Sequence, residues 1–443
     1  MPSKPEPCFL NASQAAGAIK TGALTSEALV RSCLDRIEAR DPHVKAWLHV
    51  DPDYAIRQAR EIDKRPAVHP LHGLPFGVKD IMDTADMPTT QNAAFYQDHR
   101  PTLDAACVAI VRKLGSVILG KTDTVEYASN GRKAATRNPF NLAHTPGGSS
   151  SGSGAAVGDF QVPLAFGTQT AGSLIRPASF NGVYGLKPSW GVVSREGVTQ
   201  FSTLLDTVGW YGRSVDDLEL VASAFQLPGL GDVGAPSPSA LRVAFCETPY
   251  WERAEPASRI ATETAAKRLS EAGAKVQRLG LPEAFAGLAD AQATVMYGEG
   301  RAAFLPQYLI EKDAMHPEFV LTAAGKRGVT PERLREAYDL ADTCRRQFDA
   351  LCSDFDVVLA PAAAGEAPEG LHTVGDWIFN GFWTLLHVPC LAVPATKGAK
   401  GLPIGIQLVG PRLSDARLLA IAGTLAPLID VEGEGRLKSL LAA

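Results

Sequence analysis

An α/β layered fold is what this sequence predicts, and three observations lead there. Short apolar runs alternate with longer segments of helical period. The Gly- and Ser-rich middle, residues 145–188, is interleaved with Ala155, Ala156, Val157, Val162, Leu164 and Phe166, which a flexible linker would not carry. Of the 443 residues, 45% are hydrophobic and 21% charged, ample apolar material for a large core.

The elements follow in order. Thr25-Ser26-Glu27 opens a helix with Leu29, Cys33, Ile37 and Leu34 on its apolar face, and Asp41-Pro42 ends it. A second helix covers Tyr54 to Asp63. Leu74 to Val78 reads as a short strand, followed by a loop from Asp80 to Thr90. Val108 to Leu114 is helical and stops at Gly115; Ser116 to Leu119 is a buried strand. Beyond Arg213 come a helix at Ser214 to Ala224, a strand at Leu241 to Phe245 and a helix from Glu255 to Ala272. Two long helices are predicted near Ala289 to Lys312 and Pro331 to Cys352, then strands at Val357 to Leu359 and Ile404 to Leu408. No repeat or compositional break divides the chain, so one domain over residues 1–443 is expected.

Composition narrows the function. The net charge is −5 and no run of five Lys or Arg occurs, which argues against a nucleic-acid partner. No stretch reaches the roughly 20 apolar residues of a membrane span. Met1 to Leu10 carries three prolines and no apolar signal region. The seven cysteines (Cys8, Cys33, Cys107, Cys246, Cys344, Cys352, Cys390) form no C-x-x-C pair and read as reduced thiols of a soluble cytoplasmic protein. His69, His72, His144 and His387 match no metal motif, and neither metal nor cofactor is expected.

Residues 115–122, Gly-Ser-Val-Ile-Leu-Gly-Lys-Thr, match the phosphate-loop pattern G-x-x-x-x-G-K-[ST] literally. A phosphate loop needs free N–H groups between its glycines, whereas Ser-Val-Ile-Leu favours a strand. The segment is therefore expected to be structural.

Three other elements carry chemistry. Residues 73–80, Gly-Leu-Pro-Phe-Gly-Val-Lys-Asp, deliver Lys79 at the end of an apolar strand. Residues 146–154, Pro-Gly-Gly-Ser-Ser-Ser-Gly-Ser-Gly, hold Ser149, Ser150, Ser151 and Ser153. Residues 167–177, Gly-Thr-Gln-Thr-Ala-Gly-Ser-Leu-Ile-Arg-Pro, hold Ser173 and Arg176. Each alone has a bland explanation in solvated lysines and loop-forming serines. Their order and spacing, 70 residues from Lys79 to Ser149 and 24 from Ser149 to Ser173, resemble the amidase-signature family of serine hydrolases. Thr25-Ser26-Glu27, Arg36-Ile37-Glu38, Arg137-Asn138-Pro139, residues 180–188, residues 205–209, Val388-Pro389-Cys390 and residues 401–410 extend the resemblance. Residues 241–354 match least and are expected to form the substrate pocket.

The resemblance implies a large mixed central β-sheet covered on both faces by α-helices. It also implies a cofactor-free amidohydrolase that cleaves the C–N bond of a small amide through an acyl-enzyme. Ser173 is the nucleophile it implies, Ser149 a bridging serine on a cis peptide, and Lys79 the base. A serine hydroxyl needs a base within reach, and a lysine becomes one only when desolvation lowers its pKa. The N–H groups of Thr170, Ala171, Gly172 and Ser173 are the expected oxyanion hole. Ser150, Tyr127, Gln169 and Arg176 are the expected substrate contacts, with Trp377, Phe379, Phe382 and Trp383 as further candidates for the pocket wall.

Gln169 and Ala171 depart from the family's common aspartate and glycine pair, and Arg176 stands one residue later than in many members. That pattern resembles malonamidases and other small-amide or ureide hydrolases, where the matching arginine grips a substrate carboxylate. Arg176 serves equally well as an internally paired structural residue, since a guanidinium suits both uses. Two alternatives share the machinery. One is a carbamate or urea-type hydrolase acting on biuret, allophanate or a urethane. The other is a glutamine-amidase subunit of a tRNA-dependent amidotransferase, against which Gln169, Arg176 and Ala362 speak. The expected partners are a small-molecule amide and, as the assembly, a homodimer, with neither nucleic acid nor membrane.

Overall fold

Among the described residues, eleven strands join in one sheet: β1 (Trp47–Val50), β2 (Pro75–Lys79), β3 (Val117–Thr122), β4 (Leu164–Gln169), β5 (Tyr184–Lys187), β6 (Thr207–Gly212), β7 (Arg242–Cys246), β8 (Lys275–Leu279), β9 (Val357–Pro361), β10 (Cys390–Lys397) and β11 (Pro403–Val409). The structure is a computed structural model and describes residues 6–433. The strand order is β1-β3-β2-β4-β6-β5-β10-β11-β9-β7-β8. β3, β2 and β4 run parallel, as do β9, β7 and β8, while antiparallel pairs link the rest. Helices flank this mixed sheet, as the sequence predicts.

β2, β3 and β4 are buried at every position. Strands covered on both faces read as continuous apolar runs rather than alternating ones. That explains why β2 stood out in the sequence and why β4, containing Gly167 and Thr168, did not. β3 occupies most of the phosphate-loop match. Gly120 within it lies against β1, where a Cβ would stand 2.3 Å from the His49 carbonyl oxygen. Lys121 is buried, its Nζ 2.9 Å from Asp80 Oδ1 and 2.7 Å from Thr89 Oγ1. Glycine and lysine are structural here.

Two helix boundaries differ from expectation. The helix Ser26–Val44 runs through Pro42 and ends where Lys45 turns left-handed (φ 58°). The Lys45 N–H bonds the Asp41 carbonyl, and Asp41 Oδ1 accepts from Ala46 N at 2.6 Å, so the exit lies beyond the proline. The segment expected as one helix from Ala289 divides into Leu288–Ala303 and Leu305–Glu311. Pro306 cannot donate the helical N–H and sits in the first turn of the second piece. Phe304 at the break is buried against Phe201, Phe319 and Tyr127. All seven cysteines are free thiols. No helix among the described residues is long and apolar enough to cross a membrane.

Candidate active site

β2, between β3 and β4 in the sheet, ends in Lys79, which is wholly buried. Its Nζ lies 2.8 Å from Ser149 Oγ, 2.9 Å from Ser150 Oγ and 2.7 Å from Thr168 Oγ1. Burial holds its pKa well below the usual lysine value, and the charge of Asp206 opposes that fall.

Ser149 and Ser150 precede the fully buried helix Ser151–Gly158. Small residues are required there: a Cβ on Gly152 would stand 2.1 Å from the Ala46 carbonyl oxygen. The Gly148–Ser149 peptide is cis. The Ser149 carbonyl accepts from Val125 N at 3.2 Å and Thr124 Oγ1 at 3.1 Å, and Ser150 N donates to the Ser173 carbonyl at 3.3 Å. Ser150 Oγ donates to the Thr168 carbonyl (3.2 Å) and accepts from Thr168 N (3.1 Å), so its single proton is already committed. Ser150 braces the lysine and is not among the cavity-lining residues, which corrects its expected role as a substrate contact. Ser151 and Ser153 bond Gly147 and Thr122 respectively, in keeping with their expected structural use.

β4 leads into the loop that carries Ser173. Four carbonyls of that loop are tied down. Thr170 O accepts from Gln292 Nε2 (3.0 Å), Ala171 O from Thr384 Oγ1 (3.0 Å), Gly172 O from Arg176 N (3.2 Å) and Ser173 O from Ser150 N (3.3 Å). In a trans peptide the N–H points opposite to the C=O. Anchoring the carbonyls therefore turns the next N–H groups away from those anchors. Among the described residues, the N–H groups of Thr170, Ala171, Gly172 and Ser173 have no acceptor.

Gln169 is a correction. It is fully buried, its Oε1 accepts from Leu174 N and Ile175 N at 3.0 Å each, and its Nε2 donates to Thr384 Oγ1 at 3.0 Å. Both ends of the amide hold the loop and the start of the helix Ile175–Phe180, and Gln169 is not among the residues lining the cavity that Ser149 and Ser173 share.

Arg176 is 2% exposed and lines a cavity with Ser149, Ser173, Thr170, Ala171 and Trp377. The space is small, about 40 Å³. Arg176 Nη2 donates to the Gly148 carbonyl at 2.5 Å, while Nε and Nη1 have no hydrogen-bond partner among the described residues. Burial lowers its pKa to about 10 against the opposing charge of Asp376, so the guanidinium stays charged at neutral pH. Arg176 is thus paired internally with the Gly148 carbonyl, and no carboxylate forms an ion pair with it among the described residues.

Of the aromatic candidates, Trp377 reaches this cavity. Phe379, Phe382 and Trp383 are core residues with no exposure, and Tyr127 lines a neighbouring cavity with Thr168 and Thr170 instead. Ala128, Ser129, Asn130, Phe201, Met296 and Val374 complete the wall, and the sequence singled out none of them. Thr168 was also missed, although its place two residues before Thr170 in the same motif was a usable signal.

Fold and site together define a mixed α/β protein with a buried lysine and two serines brought together at a small cavity. The amidase family model matches residues 28–419, and the chain belongs to the amidase family. It is an enzyme that hydrolyses amide C–N bonds. A glutamyl-tRNA(Gln) amidotransferase subunit from Chloroflexus aggregans is 30% identical, the alignment covering 95% of this chain and 97% of the relative. The corresponding protein of Roseiflexus castenholzii is 32% identical, covering 95% and 96%. Among solved structures, native peptide amidase from Stenotrophomonas maltophilia superposes with a TM-score of 0.79 at 27% identity, covering 97% of each chain. A structure described as a vestigial protein complex revealing the origins of an s-triazine catabolic enzyme gives 0.84 at 27%, covering 94% and 98%.

These relatives correct the expectation about partners. A chain meeting only a small amide and a second copy of itself does not fit full-length relatives that are named as subunits of tRNA-linked amidotransferases.

Proposed function

We propose that this chain is a serine amidohydrolase for a small amide or ureide bearing a carboxylate, working as one subunit of a complex with a different protein chain. The observation that carries the chemistry is the buried Lys79 amine ringed by three hydroxyls, beside a cavity that Ser149, Ser173 and Arg176 share. Ser173 Oγ attacks the substrate carbonyl as its proton passes to Ser149 and the Ser149 proton passes to neutral Lys79. The new C–O bond leaves an oxyanion facing the N–H groups of residues 170–173. Lys79 then returns a proton through Ser149 to the leaving nitrogen as the C–N bond breaks, and water hydrolyses the acyl-enzyme by the same route.

Arg176 supports the substrate class. A buried guanidinium with two unpaired N–H edges suits a carboxylate, through charge-assisted bonds. The cavity volume favours a short acyl group. The relatives named as amidotransferase subunits support a second reading, release of ammonia from glutamine, itself a carboxylated amide. The carbamate and urea-type alternative uses the same groups. The sheet, unbroken from β1 to β8, supports one domain, and the free thiols support a cytoplasmic setting.

The test is ammonia release by the purified chain, alone and with its co-purified partner, from glutamine, malonamate, a carboxylated ureide and neutral amides, with mass spectrometry of fluorophosphonate-treated protein. The reading expects an adduct on Ser173 and a preference for acidic substrates. An adduct elsewhere, or equal turnover of neutral and acidic amides, refutes it.

A further inference from the structure

We infer that Asp206 is a positioning residue of this site: its carboxylate ties the oxyanion loop to the cavity wall and serves as counter-charge for the ammonium that Lys79 becomes in each turnover. The inference rests on the roles proposed above for Lys79 and Ser173.

Asp206 is buried at the entry to β6. Its Oδ1 accepts from Thr170 Oγ1 at 2.5 Å, and its Oδ2 accepts from Phe201 N at 2.6 Å and Ser202 N at 3.0 Å. Thr170 begins the run of free N–H groups, and Phe201 is a wall of the cavity that holds Ser149, Ser173 and Arg176. One carboxylate thus fixes the donor loop against the wall. Phe201 is also packed against Phe304, at the helix break in the least matched region.

The second role follows from the end of β4. Thr168 lies on β4 and Thr170 follows its last residue, and their hydroxyls reach two different titratable groups. One hydroxyl meets Lys79 Nζ at 2.7 Å and the other meets Asp206 at 2.5 Å. Both threonines and Asp206 line the same small second cavity. Lys79 and Asp206 are therefore neighbours separated by hydroxyls, and no ion pair joins them among the described residues. A direct ion pair would hold Lys79 protonated and useless as a base. A carboxylate one layer back leaves the amine neutral at rest and still stabilises the ammonium when the Ser173 proton arrives.

The other charged and titratable groups nearby are engaged elsewhere. Arg195 donates to the Asp206 carbonyl at 3.2 Å. Glu299, on the helix Leu288–Ala303, accepts from Ser202 Oγ, Leu204 N and Tyr338 OH. Tyr211 on β6 donates to the Leu174 carbonyl at 3.1 Å. Asp80 and Lys121 pair with each other behind β2, and Arg176 faces the first cavity. Asp206 is the charge that acts on Lys79, raising a proton affinity that burial lowers. Burial also pushes the Asp206 carboxyl up, while Thr170, the two N–H donors and Arg195 pull it down.

Asp206→Asn keeps the size and the acceptor for Phe201 and Ser202 while removing the charge. The measurements are the pH profile of kcat/KM on an amide and of the rate of fluorophosphonate labelling at Ser173. The acid limb should move to lower pH by about one unit, the scale of a single nearby charge. Thr170→Val breaks the tether without changing charge, so its limb should stay in place while kcat falls. An Asp206→Asn limb that coincides with wild type overturns the inference. If that variant does not fold, Asp206→Ser carries the test: it also removes the charge while keeping a polar acceptor, so the limb should again move to lower pH, and a limb that coincides with wild type overturns the inference. If wild type shows no Ser173 adduct or no acid limb, the assignment of Ser173 and Lys79 has failed. A labelled Ser173 with a limb indifferent to residue 206 is the failure of Asp206 alone.

Discussion

Lys79 Nζ stands 2.8 Å from Ser149 Oγ, across 70 residues of sequence, and the other two hydroxyls around the amine determine what that contact does. Ser150 has given its proton to the Thr168 carbonyl and can only accept from the lysine. With Ser150 and Thr168 receiving the two N–H bonds of a neutral amine, the lone pair is left facing Ser149. In the proposed mechanism that geometry suits transfer of the Ser149 proton to Lys79.

Ser173→Ala should remove both turnover and fluorophosphonate labelling while the protein stays folded, since the change deletes one hydroxyl at the cavity rim. Ser149→Ala should keep the oxyanion donors and lose the relay, reducing kcat by at least about a hundredfold, the lower range for general acid–base contributions. Active-site labelling and steady-state kinetics check both. Persistent labelling of Ser173→Ala, or near-normal turnover in Ser149→Ala, contradicts the assignment.

Lys79 has its folded pKa depressed by burial, so two pH dependences follow. Activity should rise with pH along a limb that reports loss of its proton, and Lys79→Met should abolish activity. Stability should also rise with pH between the depressed folded value and the unfolded value of about 10.4. In that window the unfolded chain binds a proton that the native site does not, so falling pH favours unfolding. Melting temperatures of wild type and Lys79→Met should therefore differ by an amount that changes between pH 7 and pH 10, with wild type gaining relative to the variant as pH rises. A constant difference would mean that Lys79 is charged in the folded protein.

Much of this was legible in the sequence, and the gaps have physical causes. The catalytic candidates stood on short motifs with small residues, because a cis peptide, a helix entry and a donor loop must approach one another closely. β10 and β5 went unread because neither run (Cys390–Lys397, Tyr184–Lys187) is a simple alternating pattern; both are buried inside the sheet. Gln169 was misread because its neighbours are functional, and only the path of the loop shows its amide turned inward. Asp206 stood in a recognised segment with no role, since its meaning lies in Thr170, 36 positions away. Phe201, Met296 and Val374 are apolar residues like any others until the fold brings them to the cavity.

Gln169→Leu tests the corrected role. It leaves the N–H groups of Leu174 and Ile175 without their acceptor in a buried site, at a cost of about 1–3 kcal/mol for an unsatisfied group. The loop carrying Ser173 should loosen, lowering kcat and melting temperature with little change in KM for any substrate. A selective rise in KM would return Gln169 to the substrate pocket.

Arg176 gives the sharpest test because its guanidinium is divided between two tasks. Nη2 holds the Gly148 carbonyl beside Ser149, and Nε and Nη1 have no hydrogen-bond partner among the described residues. Arg176→Gln keeps a side-chain N–H of use to Gly148 while removing the charge and the second donor edge. Loss of the Gly148 contact would depress all substrates alike. Loss of the carboxylate grip would depress acidic substrates alone, and removing one member of a buried charged pair costs about 2–5 kcal/mol. The expected outcome is therefore a fall of at least about tenfold in the kcat/KM ratio of malonamate, or of a carboxylated ureide, to the matching neutral amide. Competition assays with paired substrates read that ratio directly and cancel any uniform loss. An unchanged ratio would confine Arg176 to the Gly148 carbonyl, and selection for acidic substrates would have to come from elsewhere along the cavity wall.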